Sequence, residues 1–289
     1  MKVSGFTFVR NAVKYDYPIV ESIRSILPIC DELIVCIGNS EDSTLDLIKS
    51  IGDNKIKIIP SIWNDSLREG GAVLAEETNK AKDAISIDAD WAFYIQGDEV
   101  VHEKYLDEIY KSMIKYKDSP RVEGLLFKYL HFYGNYKYVG DSRKWYRNEI
   151  RIIRNDKNIR SFRDAQGFRK NGQLLKVKPI DAEIFHYGWV KSPLKQIEKQ
   201  KSFNKFWHSD DVVQKMVKEA DSYDYSNIDS LKLFTDSHPA VMSKRISLLD
   251  WDFEFDISKK HFSFKNKVLN FIEKHTGKRL FEYRNYKII

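Results

Sequence analysis

The amino-acid sequence predicts an α/β fold on a mixed sheet flanked by helices, with a mostly helical C-terminal extension. Between residues 1 and 117, short β-branched and aromatic runs alternate four times with helix-periodic segments. That alternation is the signature of a parallel sheet covered by helices on both faces. From Val122 the strands expected at 122–129, 149–154 and 174–178 follow one another without long helices, so antiparallel additions are expected there. After Trp189 the pattern turns mostly helical, which divides the chain into a sheet domain, 1–190, and an extension, 191–289.

The elements follow in order. Val3–Val9 is rich in β-branched and aromatic residues and reads as the first strand. Asp16-Tyr17-Pro18 supplies an N-cap and a first-turn proline for a helix whose Ile19, Val20, Ile23, Ile26 and Leu27 share one face. Pro28 ends that helix. Glu32–Ile37 is the second strand, and a polar turn over 38–44 leads into a helix at 45–51. A third strand is expected at 55–59, a helix at 69–85 despite Gly70-Gly71, and a fourth strand at 91–96. Leu106, Ile109, Tyr110, Met113 and Ile114 then trace a helix face. Pro193 opens the helix that carries Lys199 and Lys201, residues 210–244 are polar and weakly patterned, and in 264–274 Val268, Leu269 and Ile272 oppose a basic face.

Bulk composition narrows the class. At 289 residues, 42% hydrophobic and 31% charged, the chain is an ordinary globular protein of one large domain or one domain with an appendage. No apolar stretch approaches the roughly 20 residues of a membrane-spanning helix, and Met1-Lys2-Val3-Ser4-Gly5-Phe6 lacks a signal-peptide pattern. Cys30 and Cys36 are the only cysteines, with no zinc-like spacing, so a cytoplasmic protein is expected. The net charge of +6 is uneven: residues 257–289 hold nine Lys or Arg against two Glu, which leaves residues 1–256 at −1. A basic tail of this kind suits nucleic acid, anionic lipid or an acidic partner, or is a solvated helix face; peripheral contact with the inner face of a membrane is the expectation, and no nucleic acid is expected.

The chemistry is sought where the fourth strand stops, at Gln96-Gly97-Asp98-Glu99. In open α/β sheets, ligands bind just beyond the carboxyl ends of such strands. A hard divalent cation on a phosphate needs one or two carboxylates there, which makes Asp98 the first candidate. Neither GxGxxG nor GxxxxGK[ST] occurs at the first strand-to-helix turn, so dinucleotide and P-loop readings gain nothing.

Several anchors, in order, resemble the nucleotide-sugar-binding half of family 2 glycosyltransferases of the GT-A fold, among them bacterial transferases of lipopolysaccharide core and cell-surface glycans. Phe8-Val9-Arg10-Asn11 resembles the end of their first strand. Ser40-Glu41-Asp42-Ser43-Thr44 resembles the back half of their aspartate-rich turn. The helix around Asn79 resembles the one before their metal motif, and Gln96-Gly97-Asp98-Glu99 stands where their DxD motif stands. Ile37-Gly38 replaces the usual Asp-Asp, and Gln96 replaces the first DxD aspartate. An amide still bonds a hydroxyl but does not neutralise a cation, so the electrostatic work falls to Asp98.

The resemblance implies a Rossmann-like GT-A sheet and a metal-dependent, inverting transfer of a sugar from a nucleotide-diphosphate sugar, expected to be a UDP-sugar, to a glycan or glycolipid hydroxyl. It implies Mn2+ or Mg2+ on Asp98 and His186, the latter in Ile184-Phe185-His186-Tyr187. Val9, Arg10, Asn11, Ser40, Asp42, Arg68, Asn79, Gln96 and Gly97 would line the donor, with Lys199 and Lys201 near its diphosphate. The general base would be Asp164, after Arg151-Ile152-Ile153-Arg154, with Glu149 as rival and Arg163 a possible partner that would depress Asp164. The aromatics of 132–138 with Trp145 and Tyr146 are candidates to stack on an acceptor sugar. Two other readings compete: a catalytically silent protein that keeps the fold to bind nucleotide or glycan, and a nucleotidyltransferase, which lacks its glycine-rich basic loop here.

Overall fold

A computed structural model describes residues 1–67, 69–209, 211–213 and 222–289 of the chain. Four parallel strands form one half of the sheet: β1 (Val3–Val9), β2 (Glu32–Ile37), β3 (Ile56–Pro60) and β4 (Trp91–Tyr94), in the order β3-β2-β1-β4. Helix α1 (Ile19–Ile26) follows β1, α2 (Thr44–Lys49) follows β2, and α3 (Ala72–Asp83) links β3 to β4. Alternation along each strand splits the core between two faces. Leu33, Val35 and Ile37 of β2 join Trp91 and Phe93 of β4 against α1, while Ile34, Cys36, Ala92 and Tyr94 meet Val73, Leu74 and Ala81 of α3.

After β4 come β5 (Glu99–Val101) and α4 (Leu106–Tyr116), then β6 (Gly124–Tyr133), β7 (Tyr138–Gly140), β8 (Asn148–Arg154), β9 (Ile159–Phe162), β10 (Gly167–Lys170) and β11 (Gln173–Trp189). Strand β8 inserts antiparallel between β4 and β6, and β11 runs parallel to β6 and antiparallel to β5. The mixed α/β sheet with flanking helices is therefore the one the sequence predicts. Helix α5 (Pro193–Asn204) begins the extension, β12 (Leu231–Leu233) pairs with β7, and a further helix spans Phe264–Thr276. Strand β13 (Tyr286–Ile288) returns to pair with β11.

Local departures have local causes. Pro18, not Asp16, is the N-cap of α1, because Asp16 sits at φ 49° and turns its carboxylate to Arg245. Helix α3 starts only at Ala72, since Gly71 takes the left-handed φ of 71°. The aromatics expected to meet an acceptor sugar are mostly core: Phe132 stacks on Phe185 and Tyr187, and Tyr133 and Tyr138 are buried.

Candidate active site

A cavity of about 850 Å³ opens at the carboxyl ends of β1 and β4. The chain moves outward from β1 to β2 and β3, then crosses back to β4 on the other side of β1, so the cavity lies at the topological switch point. Val9, Arg10 and Asn11 line it from the end of β1, and Gln96, Gly97 and Asp98 from the turn after β4. His186 comes from β11, Asp164 from the β9–β10 loop, and Lys199 and Lys201 from α5.

Strand pairing brings the first pair together. His186 is in register with Glu99 of β5 and His131 of β6, and the backbone N–H of Tyr187 donates to the Asp98 carbonyl at 2.8 Å. His186 Nε2 then lies 3.8 Å from Asp98 Oδ1, and Lys199 Nζ donates to Asp98 Oδ2 at 3.1 Å and to the Gly188 carbonyl at 3.0 Å. Burial alone would raise the Asp98 carboxyl, but the Lys199 and Lys191 ammonium groups hold it well below the usual carboxylate range. A Cβ on Gly188 would stand 2.7 Å from both Asp98 Oδ2 and His186 Nε2, so only glycine leaves this space open.

The protons of the two histidines follow from their partners. His131 Nε2 lies 2.8 Å from the Tyr146 carbonyl, which only accepts, so this nitrogen carries the hydrogen. Burial keeps His131 neutral, leaving its Nδ1 an acceptor, and His186 Nδ1, 3.3 Å away, donates to it. His186 Nε2 therefore presents a lone pair toward the Asp98 carboxylate. Two acceptors 3.8 Å apart suit a cation between them. Among the described residues no group of three or more His, Cys, Asp or Glu is arranged around one point. A divalent cation here would have these two protein ligands and take the rest from phosphate and water, the arrangement magnesium and manganese favour.

Glu99 lies beneath this floor. Its carboxylate takes two hydrogen bonds from Arg151, at 2.8 and 2.6 Å, and one from Tyr129 at 2.7 Å, with both charged residues fully buried. Arg151 is flanked in turn by the rings of Tyr94 and Tyr129. Glu99 is thus committed to fixing the turn that presents Asp98.

Asp164 faces the cavity half-buried, between Arg163 and Ala165 at φ 55° and 60°. Its Cβ lies 2.8 Å from where a Cβ of Gly71 would be, so the start of α3 wedges the loop in place. Arg163 does not pair with it; the guanidinium lies over the Phe162 ring at 5.1 Å. Glu149 faces elsewhere. It is buried against Asn285, whose amide donates at 3.0 Å, and desolvation pushes its carboxyl up to about 7.

Three expected donor contacts do not line the cavity. Ser40 Oγ accepts the Asn11 backbone N–H, Asp42 accepts those of Lys14 and Thr44, and Asn79 Oδ1 accepts that of Ser161, so each holds backbone instead. Arg68 lies outside the described residues. An aromatic wall was not anticipated: Trp63, 5.8 Å from Phe8 and 5.6 Å from Phe206, with the Arg10 guanidinium 5.5 Å from its ring. It also accounts for Gly38, where a Cβ would stand 2.3 Å from Trp63 Nε1. The rule that pointed to Asp98 also points here, since Trp63 comes just after the end of β3. Lys191 was missed too. It is fully buried, its Nζ donates to the Asp16 carbonyl, and desolvation, with the nearby Lys199 charge, brings it down to about 7. Nothing in the sequence around it signals this.

No family model and no curated protein matches the chain. Among solved structures it is similar to S. aureus TarS, at 16% identity and a TM-score of 0.41 over 70% of this chain and 39% of that one. It is also similar to TarS 1-349 in complex with UDP, at 15% identity and a TM-score of 0.40 over 75% of this chain and 70% of that one. A third is glucosyl-3-phosphoglycerate synthase from Mycobacterium tuberculosis in complex with Mn2+, UDP and phosphoglyceric acid, at 19% identity and a TM-score of 0.32 over 45% of this chain and 43% of that one. At these scores the overlap is partial, and the chemistry is read from the cavity itself.

Proposed function

We propose that the protein is an inverting glycosyltransferase of GT-A type that takes a nucleotide-diphosphate sugar, UDP-linked by preference, and extends a glycan or glycolipid. One observation carries this reading: Asp98 and His186 face each other at 3.8 Å on the floor of the switch-point cavity, with Lys199 on the other carboxylate oxygen and Asp164 in the same cavity. Trp63 with Phe8 and Phe206 offers an aromatic wall for the base. Arg10, Lys199 and Lys201 supply positive charge for the diphosphate. In a single displacement, Asp164 accepts the proton of the attacking acceptor hydroxyl as its oxygen bonds the sugar and the bond to the diphosphate breaks. Lys199 then faces the charge released on the leaving group. A divalent ion held by Asp98 and His186 would supply Lewis-acid stabilisation of that group.

A second reading, transfer without a metal, is favoured by the Lys199 ammonium already on Asp98. Calorimetric titration of UDP with Mn2+ and with EDTA, followed by turnover of a donor panel, decides between them. Asp98→Asn is expected to lower Mn2+-dependent UDP affinity at least about tenfold, the scale of one charge-assisted contact, and to abolish turnover. Binding and turnover unaffected by Asp98→Asn would overturn the site.

The extension bears on location. Among the described residues no helix is long and apolar enough to cross a membrane. The helix Phe264–Thr276 buries none of its residues and exposes Phe264 and Phe271 beside Lys265, Lys267 and Lys274, a pattern that suits peripheral contact with an anionic bilayer.

A further inference from the structure

A second cavity, of about 370 Å³, lies between the β8 end of the sheet and the C-terminal segment. Tyr146 and Gln166 line it and the first cavity alike, so the two share a wall. Its charged lining is mostly cationic: Arg143, Lys144, Arg147, Lys265 and Arg279 against Glu149 and Glu282. Glu273 and Glu282 hold Arg143, Arg147 and Arg279 together. Burial and this crowding of guanidinium groups lower Arg279. Phe281 and Tyr283 stand exposed at the rim, where an apolar sugar face can lie. Asp164 is close enough for its charge to act on Glu149 in this cavity.

We propose that the second cavity binds the acceptor, and that the acceptor is a polyol or saccharide bearing a phosphate group. The guanidinium forks already lie on Glu273, Glu282 and backbone carbonyls, so the cluster offers the phosphate its charge, with the Lys265 ammonium beside it. The hydroxyl to be glycosylated then passes Tyr146 and Gln166 to reach Asp164. This rests on the transferase reading above for the word acceptor, though the anion site can be measured without it.

Calorimetric titration of glycerol 3-phosphate into the full chain, with and without UDP and Mn2+, tests it, with glycerol as the uncharged control. Glycerol 3-phosphate is expected to bind and glycerol not. Lys265→Glu and Arg279→Gln should each weaken that binding about tenfold while UDP affinity stays the same. Lys265 is exposed and makes no ion pair among the described residues, so its variant is not expected to disturb the fold. No binding, displacement by UDP, or indifference to both substitutions overturns the proposal. If UDP fails to bind while glycerol 3-phosphate still responds to Lys265→Glu, the transferase reading falls and the anion site stands.

Discussion

Glu149 shows how much a single buried carboxyl can cost. Its folded pKa of about 7 lies above the roughly 4.3 of an unfolded Glu, so between those values the native state holds a proton the unfolded chain has lost. Stability should fall as pH rises through that window, and the penalty is complete above the folded pKa. Glu149→Gln keeps an acceptor for Asn285 and removes the titration. Chemical denaturation at pH 5 and pH 8 should show the variant gaining about 2–3 kcal/mol on the wild type between the two. An equal effect at both pH values would mean the carboxyl is ionised throughout. Glu99 differs because Arg151 stays with it: both sides of that pair are buried and bonded.

At the scale of elements, α5 matters most, because it carries a cation from the extension onto a carboxylate of the sheet. In the proposed reaction Lys199, already on Asp98, would compete with a metal there while also facing the donor's phosphates. Lys199→Met should therefore raise affinity for Mn2+ alone severalfold and lower affinity for UDP, both read by calorimetry; unchanged Mn2+ affinity would separate Lys199 from the metal position. The sequence made the parallel strands plain, since β1, β2 and β4 are apolar runs bounded by turns. Three-residue strands such as β5 and β7 are too short to show a period. Of β11, 174–178 and the apolar pair ahead of His186 were legible only as separate pieces, because the register shift between Pro179 and Glu183 breaks the alternation that would join them. Asp98 could be placed at the cavity because a strand stops just before it. Ser40, Asp42 and Asn79 matched a pattern by type, yet which atom a polar side chain satisfies is set by tertiary neighbours.

Across the whole molecule, the extension is part of the architecture: β13 pairs with β11, and Asn285 donates to Glu149. Removing 257–289 would strip these contacts, so membrane contact is better tested on the exposed helix. Phe271→Ser with Lys267→Glu should reduce flotation with phosphatidylserine vesicles at low salt and leave the thermal melt unchanged. Flotation equal to wild type would remove the bilayer as this helix's partner.

His186 meets Asp98 only once β11 has aligned with β5 and with β6, strands that lie far back along the chain. Closing such long loops is slow compared with helix formation. During refolding, far-UV ellipticity should recover well before affinity for the proposed UDP ligand does, so a population rich in native helices would still fail to hold it.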